Sequence, residues 1–521
     1  MLASMLSLWA PKLLDSGIHH VLLAMLVLIL CVTTYNALYN RYLHPLHRFP
    51  GPFWGSVTDL YHTYLLGTSQ VHLKQLRLHQ EYGSVIRVSP NLLCFSDPTL
   101  LPSVYHRHSE KTPFYSPGMA GEERPLLQIQ GDVEHAANLK ILSPTYSMGH
   151  IRLLEATVDE RIIKTNQVLQ SRFSDTGESV DMAAYIRWHI YDTMTQVIYG
   201  VPVGMVDKGR DVDRLIGEWH RVFTLGGLIA TLPWLIGPVI NNRYLKPFLM
   251  PSKWHGHGIG HIVRSHKRMF NHRLRNPQLF RPGNMFDSLL QMKPPDGTNT
   301  SLQEAERQCF ILTVSSQDTS AAFISALINY VLEHASIISK VCSEILRFEQ
   351  SHRLSLPIVT YQETVEMPYF MACVHETLRL SPPISTVLPR YAPRGGMDVN
   401  GEWISEKVEL GANPYVIHRS TKIFGLDADT FRPERWLGDP EQVRLMHKFS
   451  FAFGFGSRKC LGKNIALFES QKFCVQLLRD FDIHNCSPER PFKAQNWGVN
   501  VYFEQYLKLM ARTKRSEEIK C

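Results

Sequence analysis

The stretch Phe453-Gly454-Phe455-Gly456-Ser457-Arg458-Lys459-Cys460-Leu461-Gly462 constrains this chain more than any other. Three glycines in ten residues make a tight loop, poor in side chains, in which backbone N–H groups can approach whatever Cys460 holds. From Leu461 onward the pattern is helical, with Leu461, Ile465, Phe468, Val475 and Leu478 on one face. Cys460 therefore stands just ahead of a helix N-terminus, where N–H dipoles stabilise an anion and lower a thiol pKa. A single thiolate there, with no second ligand nearby in the sequence, suits axial ligation of a haem iron. Such a ligand pushes electron density onto the iron and favours O–O cleavage. The alternative is a glycine-rich turn around a buried structural cysteine.

Composition narrows the classes further. The chain has 521 residues, 44% hydrophobic and 20% charged, enough for a sizeable core. That length allows two or three domains, but no Gly/Ser/Pro linker, repeat or low-complexity block divides it. The reading is an N-terminal anchor, residues 1–44, ahead of one catalytic domain, residues 45–521. Lys and Arg total 55 against 47 Asp and Glu, a net charge of +8 without a long basic run, which argues against nucleic acid. It is compatible with an anionic membrane surface or an acidic redox partner. Nine scattered cysteines without CxxC spacing form neither a disulfide framework nor a zinc site, which favours a reducing compartment.

The anchor is an apolar segment, about residues 18–38, unbroken from Val21 to Val32. A bilayer-spanning helix needs about 20 residues, so the segment suffices for one transmembrane helix. Arg41 and Arg48 follow it while Lys12 and Asp15 cancel before it, which places the main domain on the cytosolic side. The long, non-basic start and the lack of a small-x-small site disfavour a cleaved signal peptide. His44-Pro45-Leu46-His47-Arg48-Phe49-Pro50-Gly51-Pro52 is a stiff hinge. Tyr82 to Asn91 alternates apolar and polar residues and reads as strands. Leu225 to Ile240 could line a pocket, touch the membrane or simply pack in the core.

Ser301-Leu-Gln-Glu304 reads as a capping box that opens a largely apolar, hence buried, helix ending near Glu333. Inside it lies Ser315-Ser316-Gln317-Asp318-Thr319-Ser320, polar residues that a buried helix retains only if they are used or paired. Glu376-Thr-Leu-Arg379 sets acid and base on one helix face. Phe431-Arg432-Pro433-Glu434-Arg435-Trp436 adds a second arginine in a proline-marked loop, and a Glu shared between two arginines would lock loop to helix.

In this order, and with F-x-x-G-x-R-x-C-x-G at the end, these motifs resemble the cytochrome P450 family over nearly the whole chain. Tyr42-Leu-His-Pro45 followed by Phe49-Pro-Gly-Pro52 is similar to fungal microsomal members in particular. The resemblance implies a mainly α haem-thiolate fold with a small β region and one N-terminal transmembrane helix. It implies haem b held by Cys460, with Phe453, Gly456 and Gly462 as further cofactor-contacting positions. Asp318 and Thr319 match the acid–alcohol pair that delivers protons to dioxygen, although Ser315-Ser316 replaces the usual Ala-Gly. Glu376, Arg379 and Arg435 match the structural scaffold of the haem loop. Arg390 and Arg458 are expected propionate donors, since guanidinium binds carboxylates bidentately. His135 and Lys140 depart from the common Trp-and-Arg pattern but could also reach propionates. Ile384 to Leu388 would wall the substrate pocket, and the loop beginning Lys111-Thr-Pro-Phe-Tyr115 would cover it. Lys448, Lys459 and Lys463 could place positive charge on the cysteine side of the haem, where a reductase would dock.

The implied activity is monooxygenation of a small apolar molecule, of terpenoid, polyketide or alkaloid type, in fungal secondary metabolism. Electrons would come from NADPH through a separate NADPH-cytochrome P450 reductase, because the chain carries no flavin or dinucleotide fingerprint. The implied location is the endoplasmic reticulum membrane, single-pass with a cytosolic catalytic domain, which leaves the Asn299-Thr-Ser301 sequon unused. Desaturation, ring coupling, an O2-independent rearrangement, or a non-catalytic haem protein remain as alternatives.

Overall fold

The apolar N-terminus forms one helix, Leu2–Leu38, that runs into a π-helical turn at Tyr39–Leu43. It begins well before residue 18 because the upstream Leu, Met and Ala residues are themselves strong helix formers. The structure is a computed structural model describing residues 2–116, 125–235, 242, 244, 257–279, 283–292, 300–486 and 492–512, without the side chains of 2–18, Pro233 and Leu279. Asn299, the end of the cover loop (117–124) and residues 236–240 of the Leu/Ile-rich stretch lie outside that description. His19–Leu43 has a mean hydropathy of 2.3 over its most apolar window, none of which is buried. It is long and apolar enough to cross a bilayer.

The N-terminal helix is tied to the first sheet. Arg87, 1% exposed, donates from Nη1 to Asn40 O at 2.8 Å and from Nη2 to Pro90 O at 2.7 Å. Asn40 Nδ2 in turn reaches Val57 O at 3.1 Å. The expected strands are β1, Val85–Ser89, and β2, Leu92–Phe95, paired antiparallel with a register shift between Arg87 and Ser89. The others in chain order are β3 (Ser179–Asp181), β4 (Arg390–Tyr391), β5 (Met397–Val399), β6 (Glu402–Ile404), β7 (Glu409–Gly411), β8 (Phe481–Asn485), β9 (Lys493–Asn496), β10 (Asn500–Phe503) and β11 (Tyr506–Ala511). They make a four-stranded sheet β1-β2-β7-β4, a three-stranded sheet β3-β11-β8, and the hairpins β5-β6 and β9-β10.

Helices make the rest. The core helix, Leu302–Glu333, packs on Met182–Tyr199, on Pro368–Leu380 and on the cysteine helix, Lys463–Asp480. Their shared interior includes Ile186, Met194, Ile324, Leu327, Val374 and Phe468. Ser301 accepts from Glu304 N at 3.1 Å, as a cap should. The box is not reciprocal, however, because the Glu304 carboxylate turns to Arg307 and Gln308.

This interior holds neutral histidines. Burial drives His189, His266 and His418 down to about 3 and His62, His72, His135 and His375 down to about 4, against an ordinary 6.5. Between those values the unfolded chain binds more protons, so each histidine removes up to about 1.4 kcal/mol of stability per pH unit of acidification. Glu409 and Glu469, raised to about 8 by burial, hold protons in the fold and act with opposite sign between about 4.5 and 8. Seven histidines outweigh two glutamates. The thermal midpoint is therefore expected to fall on acidification below pH 6.5. A midpoint unchanged between pH 6.5 and 4 would show that these rings are not buried neutral.

Candidate active site

Cys460 N donates to Phe453 O at 2.8 Å and Gly454 N to Phe451 O at 3.0 Å, which folds the loop back on itself. Gly454 and Gly456 take φ of +76° and +69°, the left-handed region where a side chain is strained. A Cβ on Gly456 would also lie 1.8 Å from Tyr105 O, so the tight loop follows from both causes. Gly462 is different: its φ is −79°, and a Cβ there would meet Cys460 Sγ at an ordinary 3.9 Å. The following helix starts at Lys463, and the backbone N–H groups of Gly462 and Lys463 lie close enough to the thiol to pull its pKa down. They do not lower the thiol overall. Burial pushes it up, more strongly than those N–H groups and the Lys463 charge pull it down. Such a thiol stays protonated until a cation meets its sulfur, which is how a metal ligand behaves. Its side chain is accessible although protein encloses it, as a group facing an internal space is.

The loop is held from behind. Glu376, fully buried, accepts from Arg379 Nη2 at 2.7 Å, Arg379 Nε at 2.8 Å, Arg435 Nε at 2.8 Å, Trp436 Nε1 at 2.9 Å and Arg432 N at 2.9 Å. Arg379 and Arg435 spend their other donors on carbonyls of residues 418–430, and Arg435 Nη1 also reaches Asp427 Oδ1 at 3.2 Å. His418 relays the scaffold to the loop: Nδ1 donates to Arg379 O at 2.9 Å, and Nε2 accepts from Phe451 N at 2.7 Å. Only one neutral tautomer makes both bonds.

A cationic cluster lies on another side of the loop. Arg458 donates to Ser109 O, Ile129 O and Gln130 O at 2.6–2.9 Å, and Lys111 Nζ to Leu127 O at 2.6 Å. Arg390 donates to Tyr115 OH at 2.6 Å, and its backbone bridges to Lys111. The buried His135 ring belongs to the group, since Arg458, Lys111 and Arg390 all help to depress its pKa. Burial followed by Arg390 lowers both Arg458, to about 10, and Lys111. None of Lys111, Arg390 and Arg458 makes an ion pair among the described residues, and Arg390 Nε–H is buried without a partner. Buried cations without counter-charge call for an anionic ligand, and two carboxylates on a haem edge satisfy that. A lone thiol enclosed by protein beside that cluster fits the other face of the same group. Lys140 stands apart: it is exposed and lines a separate crevice of about 360 Å³ with Ile141, Thr145, His150 and Ser288. Lys111, which carries no motif, occupies the cationic place instead.

The core helix presents an accessible face at Ile311, Ser315, Ser316 and Thr319 between buried Val314 and Gln317. Its hydroxyls are turned inward: Ser315 Oγ bonds Ile311 O, Ser316 Oγ bonds Thr313 O at 2.9 Å, and Thr319 Oγ1 bonds Ser315 O at 2.8 Å. Back-bonding of this kind satisfies the serines, and the helix stays unbroken from Leu302 to Glu333. Asp318, 8% exposed, points to His220 Nε2, 2.7 Å from its Oδ1. Of the expected pocket walls, Ile384 and Leu388 are partly accessible, while Ser385, Thr386 and Val387 are buried beside β9–β10. Lys448, Lys459 and Lys463 are exposed and lie over Phe449, Phe455 and Phe453.

Comparison with known proteins agrees with this geometry. The cytochrome P450 family profile matches residues 45–506. The chain is 29% identical over 466 residues to quiannulatic acid synthase of Emericella variicolor, covering 86% of this chain and 90% of that one. It is 27% identical over 476 residues to pisatin demethylase of Fusarium vanettenii, covering 89% and 91%. It is 28% identical over 483 residues to a cytochrome P450 monooxygenase of Emericella nidulans, covering 90% and 94%. With the thiol loop, its buried scaffold and the cation cluster in place, this chain belongs to the cytochrome P450 family, as a haem-thiolate monooxygenase of the fungal secondary-metabolite type.

Proposed function

We propose that this monooxygenase oxidises a small apolar metabolite at carbon, with Asp318 and Thr319 as its proton-handling pair. The observation that carries the reading is the accessible, polar face of Ser315 and Thr319 on an otherwise buried helix. Haem bound at Cys460 would supply dioxygen reduction and C–H oxidation. Cys460 would ligate the iron, and the backbone N–H groups of Gly462 and Lys463 and the Lys463 charge favour its thiolate. Arg390, Arg458, Lys111 and His135 would hold the propionate edge. Thr319 Oγ1 has only a backbone carbonyl to leave, so a rotation of its side chain presents the hydroxyl proton to the accessible face. Asp318 then replaces that proton from Oδ1. An acid synthase and a demethylase among the relatives support oxidation at carbon. Terpenoid, polyketide and alkaloid skeletons are the substrate classes. NADPH-cytochrome P450 reductase supplies electrons at the face carrying Lys448, Lys459 and Lys463. The helix through Leu38 anchors the enzyme in the endoplasmic reticulum membrane with its catalytic domain in the cytosol.

Comparing metabolites of the source organism with and without the gene identifies the substrate. A loss of one oxygen between product and accumulated precursor supports oxygen insertion; a difference of two hydrogens points to desaturation or ring coupling. On that substrate Thr319→Ala is expected to lower coupling of NADPH to product by about 10-fold or more, with the electrons recovered as peroxide. Unchanged coupling would remove Thr319 from proton handling.

A further inference from the structure

Asp318 is a carboxylate in the middle of a buried helix, and His220 is its sole hydrogen-bond partner among the described residues. His220 belongs to a different element, the helix Leu215–Ala230, and 98 residues separate the two in sequence. Asp318 is 8% exposed and His220 is 18% exposed, so the histidine is the more accessible member of the pair. A nearly closed carboxylate cannot take repeated protons from water directly, whereas an imidazole both accepts and donates near neutral pH.

Aromatic and charged groups surround the pair. The edge of Phe503, at the end of β10, meets the imidazole at 6.2 Å and 76°. Arg187, from the helix Met182–Tyr199, lies 5.1 Å over the same Phe503 ring and donates to Tyr502 O. It feels the charges of Asp318, Asp181 and Asp211. Asp211 caps the His220 helix at Ile216 N and Gly217 N. On that helix Glu218 and Arg221 pair with each other at 3.0 Å. Asp318 thus has one mobile proton source, His220, and one fixed positive charge nearby, Arg187.

We propose that His220 is a positioning residue that also carries protons from solvent to Asp318. The ring takes a proton at Nδ1 from water as the Nε2–H bond breaks and that proton passes to Asp318 Oδ1. One proton enters for each one delivered, no electrons move, and the ring resets by flipping. This rests on the reading of Asp318 and Thr319 as the proton-handling pair.

The test uses the full-length holoenzyme with reductase, NADPH and dioxygen, and no added substrate. The fraction of electrons recovered as peroxide rather than water is followed across pH and in D2O. His220→Gln can still donate a hydrogen bond to Asp318 but cannot carry a proton. We expect it to slow water formation by roughly 10-fold, below the 10²–10⁴ of a direct general acid because water partly replaces a relay. We also expect it to change the shape of the pH profile of that partition. A His220→Gln profile that overlays wild type, or one lowered uniformly with its pH dependence intact, overturns proton carriage. Asp318→Asn separates the layers: if it too leaves the partition unchanged, the acid–alcohol reading itself falls. Thermal melting supplies the readout apart from turnover. His220→Gln and Asp318→Asn should be non-additive in a double-mutant cycle, and additive effects would show that the pair does not form.

Discussion

Replacing Cys460 with serine is expected to abolish the thiolate-type absorption band of the reduced carbon monoxide complex. A hydroxyl is a far weaker acid than a thiol, so the N–H groups of Gly462 and Lys463 would then face a neutral, hydrogen-bearing oxygen. Serine is close in size and leaves the Cys460 N to Phe453 O bond untouched, so the loop should keep its shape. The loss is therefore chemical. Without the electron push of sulfur, turnover should fall by at least about 100-fold, the smallest effect of removing one preorganised electrostatic group. Absorption spectroscopy of the purified variant decides it, and persistence of the band would show that another residue ligates the iron.

Glu376→Gln is expected to have the largest effect on stability. One carboxylate there serves two guanidinium groups, an indole and a backbone N–H, all nearly or fully buried. An amide of the same shape removes the charge and replaces one acceptor with a donor facing cations. Breaking such a buried set costs about 3–5 kcal/mol, because Arg379 is left buried without a carboxylate and Arg435 keeps only Asp427. The damage should also reach the cysteine loop, because Arg379 O fixes His418 and His418 fixes Phe451 N. Differential scanning calorimetry with a parallel measure of retained haem should show both losses together. A normal midpoint with normal haem content would refute the scaffold role.

The parts of this architecture legible in the sequence are those whose causes are local. The turn around Gly454 and Gly456 is demanded by backbone angles, so glycine marks it directly. Glu376 and Arg379 are one helical turn apart, and their partner Arg435 sits in a proline-marked loop. The helix that follows Cys460 announces itself by the spacing of its apolar residues. Other features needed the fold. Lys140 looked like a cation for the cofactor edge, but helical phase points it to a surface crevice. Lys111 reaches the cluster through a β-bridge to Arg390, a pairing across 279 residues that no short pattern encodes. His220 was hidden for the same reason. Helix termini suggested a lowered Cys460 thiol, yet desolvation, a property of the packed interior, proved larger. Nor did Ser301 and Glu304 close a full box, since Arg307 and Gln308 compete for the carboxylate.

Arg87 joins the last turn of the anchor to β1, and the proline hinge lies between these two points. Two hydrogen bonds, Arg87 to Asn40 O and Asn40 to Val57 O, thus tie the end of that helix to the domain across the hinge. In a bilayer, as proposed, such a tie would limit the attitudes the domain takes above the surface, and so the orientations in which an electron donor in the same plane would meet it.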